Sequence, residues 1–360
     1  MLQSKAPSRT WKRPIYSIVE ISNHSPNSIA LQLNLTFGKP LLIEAKILII
    51  NINLCCVICM GYDMPRLALY LLALRPWSFP MTAVSISIGT AYAYSSNHTF
   101  DPAIYLITLL GSIALHAFVN ITNDYFDTIY GVDRPGAPTT RYRPHPIISG
   151  IMSPSQAIMT SIYLFAMALA AGIYLAIIDR WLSIPLGILG AIVALEYTAP
   201  PAKLKYRGFG EAAVFLTWGP LMVLGSYYTQ TRYLGIEPII VSIPVGILVA
   251  SVLLIDSIRD YEYDRSAGIK TLTVMLGRDV ALKLFTAMII TAYVATPIIY
   301  ITGIAGPWIL APLITTPRAI SLVRSFHREV PDTAAPQTAQ LTMLYGIAMT
   351  LGLALQGILH

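Results

Sequence analysis

The sequence is poor in charge. Of its 360 residues only 12% are Asp, Glu, Lys or Arg, about half of what soluble domains carry. That composition argues against an ordinary soluble enzyme. Basic runs with interleaved aromatics are also missing, so nucleic acid is not the partner implied by the net charge of +6. Cysteine is scarce: Cys55, Cys56 and Cys59 form one cluster, "CCVIC", inside an apolar run. No further ligands stand at metal-site spacing nearby, so these read as small apolar residues rather than a metal or redox centre. What the chain does have is apolar residues, 55% of the total, with a mean hydropathy of +0.62. Runs of about 20 apolar residues recur, the length that crosses a bilayer. The expectation is an all-α integral membrane protein of the cell membrane, multi-pass and in contact with membrane lipid.

Residues 1–65 differ from the rest. They have no clear period and are rich in Ser, Asn and Pro. "PLLIEAKILIININLCCVICMG" carries Glu44, Lys46, Asn51 and Asn53, which makes it a poor spanning segment. Its apolar part lies too far in for a signal peptide. This part is expected to be a poorly ordered extension, upstream of a natural start at Met60 or Met64; a native mass matching the full chain would refute that start. Residues 66–360 form the expected membrane domain.

From residue 76 the pattern is regular. Nine apolar segments are expected, near 77–96, 103–126, 154–178, 181–199, 210–228, 236–258, 279–302, 304–317 and 338–358. The eighth is short and holds Pro307 and Pro312; each of the others is read as long enough to span about 30 Å. Connections after the second, fourth, sixth and eighth segments carry the basic residues, from Arg134, Arg141 and Arg143 through Lys203, Lys205 and Arg207 onward. The opposite connections hold little beyond Arg180 and Arg232. The positive-inside rule puts the charged side, with Arg66 and Arg75 before the first span, in the cytoplasm.

Two acid-rich stretches fall on that side. In "NDYFDTIYGVD", Asn123 and Asp127 stand at i and i+4 on one helical face, and Asp133 returns from a turn that Gly131 permits. In "DSIRDYEYDRSAGIKTL", Asp256, Asp260 and Asp264 repeat every four residues, so one helical stripe carries three repelling carboxylates. With Asp124 and Glu262 among their acids, the two stretches hold seven of the chain's eighteen. Two facing clusters of hard oxygen donors suit Mg²⁺, which would accept a pyrophosphate between them. Nearby Arg and Lys would neutralise charge on a departing pyrophosphate, and an allylic cation would need an apolar chamber with aromatic faces. Solvated helix-end acids are one competing reading. A cation or proton pathway is another, but it would put acids near span centres, and these sit near the ends.

These residues resemble the UbiA superfamily of intramembrane prenyltransferases over about residues 70–358. "NDYFD" matches its Asn-Asp-x-x-Asp motif, and "RDYEYDRSAGIKTL" matches its second motif. The six-residue step from Asp127 to Asp133 is similar to the menaquinone branch, the 1,4-dihydroxy-2-naphthoate polyprenyltransferases, as is "YRGFGE". That branch usually has Asn at Asp256, which leaves Asp256 either a metal ligand or a hydrogen-bonding partner. "RYRPHPIISG" looks closer to the ubiquinone and archaeal-lipid branches.

The resemblance implies a ring of about nine transmembrane helices around a central cavity, with a cytoplasmic cap. It implies Mg²⁺-dependent transfer of a polyprenyl group from its diphosphate to an aromatic acceptor. The implied metal holders are Asn123, Asp127, Asp260 and Asp264, supported by Asp124, Asp133 and Asp256. The implied diphosphate contacts are Arg141, Arg143, Tyr197, Thr198, Lys203, Lys205 and Lys270. His145 reads as a base or, among its prolines, as structural. An archaeal-type digeranylgeranylglyceryl phosphate synthase is the alternative within the superfamily.

Overall fold

The computed structural model describes residues 66–359, without the side chains of Arg66, Arg141 and Tyr142. The expected extension over 1–65 and the cysteine cluster lie outside the described residues. The described residues are all-helical, as the apolar runs predict. Among the described residues the only β-type pairing is a single parallel bridge between Arg207 and Lys270.

Helix α1 (Arg66–Ala73) meets a 3-10 turn at Pro76–Ser78 and then α2 (Phe79–Asn97), with a 42° bend between the two arms. Arg75 makes the bend, in a left-handed conformation at φ 60°. Helix α3 (Pro102–Ile129) is capped by the Asp101 carboxylate, which accepts from the Ala103 and Ile104 N–H groups, and Pro102 takes the first position, where an N–H would be idle. The short α4 (Pro138–Tyr142) precedes α5 (Pro154–Ile177), which opens with a Ser153/Gln156 capping box. Then come α6 (Ser183–Glu196), α7 (Gly210–Leu216) and α8 (Met222–Thr231). A π turn at Thr217–Leu221 joins α7 to α8; Pro220, which has no N–H to donate, sits inside it. Helix α9 (Glu237–Arg259) is followed by the short α10 (Tyr261–Ser266) and α11 (Leu272–Leu276), then by α12 (Arg278–Ile301), α13 (Thr316–Arg328) and α14 (Ala334–Leu359).

Five helices, α3, α5, α9, α12 and α14, are long and apolar enough to cross a membrane, and the bent α1–α2 pair makes six. Three expected segments differ. The fourth is α6, whose 14 residues reach only about 21 Å at 1.5 Å per residue. The fifth runs without a gap from Gly210 to Thr231 and widens into the π turn at Thr217–Leu221. The eighth is a 3-10 stretch, Pro307–Thr315, feeding α13. The basic residues Arg318, Arg324 and Arg328, expected in a connection, therefore lie on an amphipathic helix that buries Ala319, Leu322 and Phe326.

The main core joins α2, α8, α9, α12, α13 and α14 through residues such as Ile88, Leu248, Phe285, Phe326 and Tyr345. Small residues allow the close approach typical of membrane helices. A Cβ on Gly89 would stand 2.2 Å from the Val223 carbonyl oxygen, and one on Gly346 would stand 2.0 Å from Val84 Cγ1. Ile177, Ile301 and Ile314 are exposed on the outside; in a bilayer that surface meets lipid rather than water. The C-terminal ends of α3 and α9 and the start of α5 gather at one end. The start of α3 and the end of α8 gather at the other.

Candidate active site

The first acid group occupies the last two turns of α3 and the loop behind it. Asp124 is fully buried. Its Oδ1 accepts from Arg75 and, at 2.5 Å, from Arg143 Nη2; its Oδ2 accepts from Arg143 Nη1 at 3.0 Å. One helical turn on, Asp127 Oδ2 accepts from Lys205 Nζ at 2.6 Å, and Oδ1 accepts from the Tyr206 hydroxyl. Burial alone would lower Lys205, but the Asp127 charge beside it reverses this and holds it well above the usual lysine range. Asn123 faces the same way as Asp127, and its buried Oδ1 has no hydrogen-bond partner among the described residues.

Asp133 returns from the loop to accept from Thr139 Oγ1 at 2.6 Å and from His145 Nε2 at 3.0 Å. His145 Nδ1 accepts the N–H groups of Ile147 and Ile148, both at 3.3 Å. The ring proton therefore sits on Nε2, pointing at Asp133. This is the structural role open to a histidine among prolines. Burial would raise Asp133, but the His145 hydrogen bond, the Lys205 charge and the Thr139 hydrogen bond outweigh it and hold the carboxyl below the usual range. Asp124, Asp133 and His145 offer ligand atoms within 4.8 Å of one another. Two guanidiniums already occupy Asp124, so this trio forms an ion-pair network.

The second acid group is looser. The expected single stripe is interrupted, because α9 ends at Arg259 and α10 starts at Tyr261. The four-residue step survives the break: Asp260 N–H donates to the Asp256 carbonyl at 3.1 Å, and Asp264 N–H to the Asp260 carbonyl at 3.0 Å. Arg259 serves two of the acids. Its Nη2 lies 2.7 Å from Asp256 Oδ1 and 2.7 Å from Asp260 Oδ2, and its Nε donates to Asp260 Oδ1 at 2.8 Å. Burial pushes Asp264 up to about 7; Lys205 offsets part of this, and the charges of Asp260 and Asp256 add to it. The two groups are tied together by the Tyr263 hydroxyl, which donates to the Val132 carbonyl at 2.6 Å. Arg134 lies 5.8 Å from the centre of the same ring.

The basic and hydroxyl candidates divide. Arg143 and Lys205 point into the acids. Thr198 is buried, and the Tyr197 carbonyl accepts the Lys205 N–H at 2.9 Å. Lys203, in a left-handed conformation at φ 48°, instead places Nζ 3.7 Å from the Tyr130 ring centre. Lys270 is exposed, and its backbone forms the bridge to Arg207. The Arg141 side chain lies outside the described residues.

Sequence reasoning did not assign Tyr206 or Arg75 to the site. Arg75 read as a membrane anchor; its single signal was a lone arginine before "PWS". A buried relay stands behind it. Trp218 Nε1 donates to Thr82 Oγ1 at 3.2 Å, and Thr82 Oγ1 lies 2.8 Å from His116 Nδ1. His116 Nε2 lies 3.2 Å from Ser78 Oγ, which also accepts from Asn120 Nδ2 at 3.2 Å and donates to the Arg75 carbonyl at 2.7 Å. Ser78 Oγ has spent its proton on Arg75, so His116 carries its own on Nε2. The relay fixes the bend from which Arg75 reaches Asp124.

The fold and this polar end define a multi-pass helical membrane protein that gathers carboxylates, guanidiniums and a lysine at one end of an apolar bundle. A family model described as the UbiA prenyltransferase family matches residues 82–345. The chain belongs to that family and is an enzyme, a prenyltransferase. It is 27% identical over 288 residues to the 1,4-dihydroxy-2-naphthoate octaprenyltransferase of Bacillus subtilis (strain 168), covering 78% of this chain and 90% of that protein. It is also 27% identical over 296 residues to UbiA prenyltransferase domain-containing protein 1 of Xenopus tropicalis, covering 81% of this chain and 83% of that protein. A solved UbiA homolog from Archaeoglobus fulgidus, bound to GPP and Mg²⁺, superposes with a TM-score of 0.58 at 17% identity, covering 79% of this chain and 99% of that one. That likeness shows a shared fold.

Proposed function

We propose that the protein transfers a polyprenyl group from its diphosphate to an aromatic acceptor, with 1,4-dihydroxy-2-naphthoate as the acceptor and menaquinone biosynthesis as the setting. The observation that carries this reading is the pairing of two carboxylate groups across the Tyr263–Val132 hydrogen bond, with Lys205 on Asp127 and Arg143 on Asp124. The acceptor is inferred from the likeness to the Bacillus subtilis enzyme and from the step between Asp127 and Asp133.

The donor set fits a divalent cation. The unpartnered Oδ1 of Asn123 is a hard oxygen ligand, and Asp127 on the same helix face and Asp256, Asp260 and Asp264 of the second group are further carboxylate donors. Asn123, Asp127, Asp260 and Asp264 would hold Mg²⁺, with Asp127 and Asp260 exchanging their Lys205, Tyr206 and Arg259 contacts for the ion. Asp124, Asp133 and Asp256 would support them, Asp124 through Arg75 and Arg143 and Asp133 through Thr139 and His145. When bound, Mg²⁺ supplies positive charge to the diphosphate oxygens.

Arg143 and Lys205 neutralise charge on the leaving diphosphate, with Tyr197, Thr198, Arg141 and Lys270 as further contacts. The C1–O bond of the donor breaks and its electron pair leaves with the diphosphate. The acceptor ring carbon that carries the carboxylate then bonds to C1, its C–CO₂ bond breaks, CO₂ leaves, and the released electron pair restores the aromatic ring. The helices beyond Asn123 shield the allylic cation from water. The bundle is read as a ring of about nine helix segments, capped by the loops around α4 and α10 on the cytoplasmic face, with residues 66–360 as the catalytic domain.

The test is to incubate the purified protein with geranylgeranyl diphosphate, Mg²⁺ and a panel of acceptors, followed by mass spectrometry. A decarboxylated prenyl-naphthalenediol product is expected. Transfer to a glycerol-phosphate ether alone would instead establish the digeranylgeranylglyceryl phosphate synthase reading, which "RYRPHPIISG" favours. A cation flux into liposomes with no transfer would overturn both.

A further inference from the structure

Arg180 and Arg232, the two basic residues that break the charge pattern of the sequence, meet at the end of the helices opposite the carboxylates. They line one pocket of about 450 Å³ with Thr99, Gln230, Thr231 and Tyr233. Its walls come from the ends of α2, α5 and α8. Arg180 is 9% exposed and its guanidinium is fixed: Nε donates to the Thr229 carbonyl at 2.7 Å and Nη1 to the Ile178 carbonyl at 2.6 Å. Among the described residues no carboxylate pairs with it. The nearby acids are engaged elsewhere, because Asp101 caps α3 and Asp179 lies 3.1 Å from Arg232 Nη1.

A buried guanidinium without a counter-charge is costly, and a like charge stands across the pocket. Burial first, then Arg232, holds Arg180 below the usual arginine range, with Asp101 and Asp179 offsetting part. An anion in the pocket would relieve both. The surroundings indicate which anion. Tyr233 lines the pocket, and it and Phe100 and Trp181, each next in sequence to a lining residue, are exposed; such aromatic rings mark the level of lipid headgroups. Guanidinium groups bind phosphate through paired N–H donors.

We propose that this far-end pocket binds the phosphate of a membrane phospholipid headgroup, with Arg180 as its anchor and Arg232 as its rim. The bound lipid would stand at the join of α2, α5 and α8 and brace it without entering the chemistry at the other end.

Native mass spectrometry of the full chain in detergent tests this, with dioleoylphosphatidylglycerol, dioleoylglycerol and inorganic phosphate as probes. Phosphatidylglycerol is expected to bind and dioleoylglycerol to be lost. Arg180→Gln should weaken phosphatidylglycerol binding at least about tenfold and Arg232→Gln about threefold, with prenyl transfer in detergent within about twofold of the parent. If Arg180→Gln fails to fold, Arg180→Lys, which keeps the charge but not the paired donors, carries the same expectation. Unchanged lipid binding in Arg180→Gln or Arg180→Lys overturns the proposal. So does equal retention of dioleoylglycerol. Inorganic phosphate that binds as tightly as the lipid identifies a free-anion site and overturns the lipid assignment.

Discussion

The two carboxylate groups share a chemistry but differ in what already holds them. Asp124, Asp127 and Asp133 are almost fully buried, and each is met by protein donors: two arginines, a lysine and tyrosine, a histidine and threonine. Asp256, Asp260 and Asp264 are half-buried, and a single arginine, Arg259, serves two of them. The first group is thus built like a folded core and the second like an open clamp. A buried carboxylate must be compensated by the fold itself, whereas a half-exposed one can wait for a ligand's charge. The first group should therefore carry both stability and catalysis, and the second mainly metal and substrate binding.

The sharpest way to break this comparison is at the acids shared by the proposed chemistry. Asp127→Ala and Asp260→Ala should each lower turnover at least about 1,000-fold, some 4 kcal/mol of barrier, and EDTA should stop the parent enzyme. Full activity in either variant refutes the metal assignment.

Lys205→Gln should cost about 100-fold in turnover, near 2.7 kcal/mol, because Lys205 sits on Asp127. Lys203→Gln should cost less than about threefold, since its charge is spent on the Tyr130 ring. Equal losses in a prenyl-transfer assay would mean that both lysines reach the diphosphate.

Stability should split the other way. Asp124→Asn leaves two guanidiniums short of a counter-charge and should destabilise the protein by about 3 kcal/mol, read as a fall in Tm. Asp264→Asn should leave Tm unchanged or raise it, while raising the Mg²⁺ concentration needed for half-maximal rate.

The smallest expected effect is on pH. The Asp264 carboxyl is raised in the folded state to about 7, so its contribution to stability is full below the unfolded value near 4 and is lost as pH rises through 7. The metal-free protein should show a Tm that falls between pH 6 and 8, and Asp264→Asn should flatten that slope. A Tm rising with pH over this window would show that Asp264 is not held protonated.

Much of this was legible beforehand. Hydropathy placed the apolar segments, because a bilayer of fixed thickness imposes a length on them. It over-read α6, because apolar composition does not reveal where a helix stops short, and it gave no sign that the fifth segment widens into a π turn at Pro220. The acid motifs were found by spacing, but spacing could not separate Lys203 from Lys205. They lie two residues apart in one loop, and a left-handed backbone at Lys203 sends one onto Tyr130 and the other onto Asp127. Arg75 was invisible as a site residue, since its partner is 49 positions away.

Local composition is enough to define a helical membrane protein with acids gathered at helix ends, because lipid thickness and helical period act on it directly. Which cation meets which buried acid is set by tertiary contacts alone: Arg75 and Arg143 on Asp124, and Lys205 on Asp127. Those pairings join segments far apart in the chain, or turn on a single backbone conformation, and ion pairs form between charges that are close in space rather than in sequence.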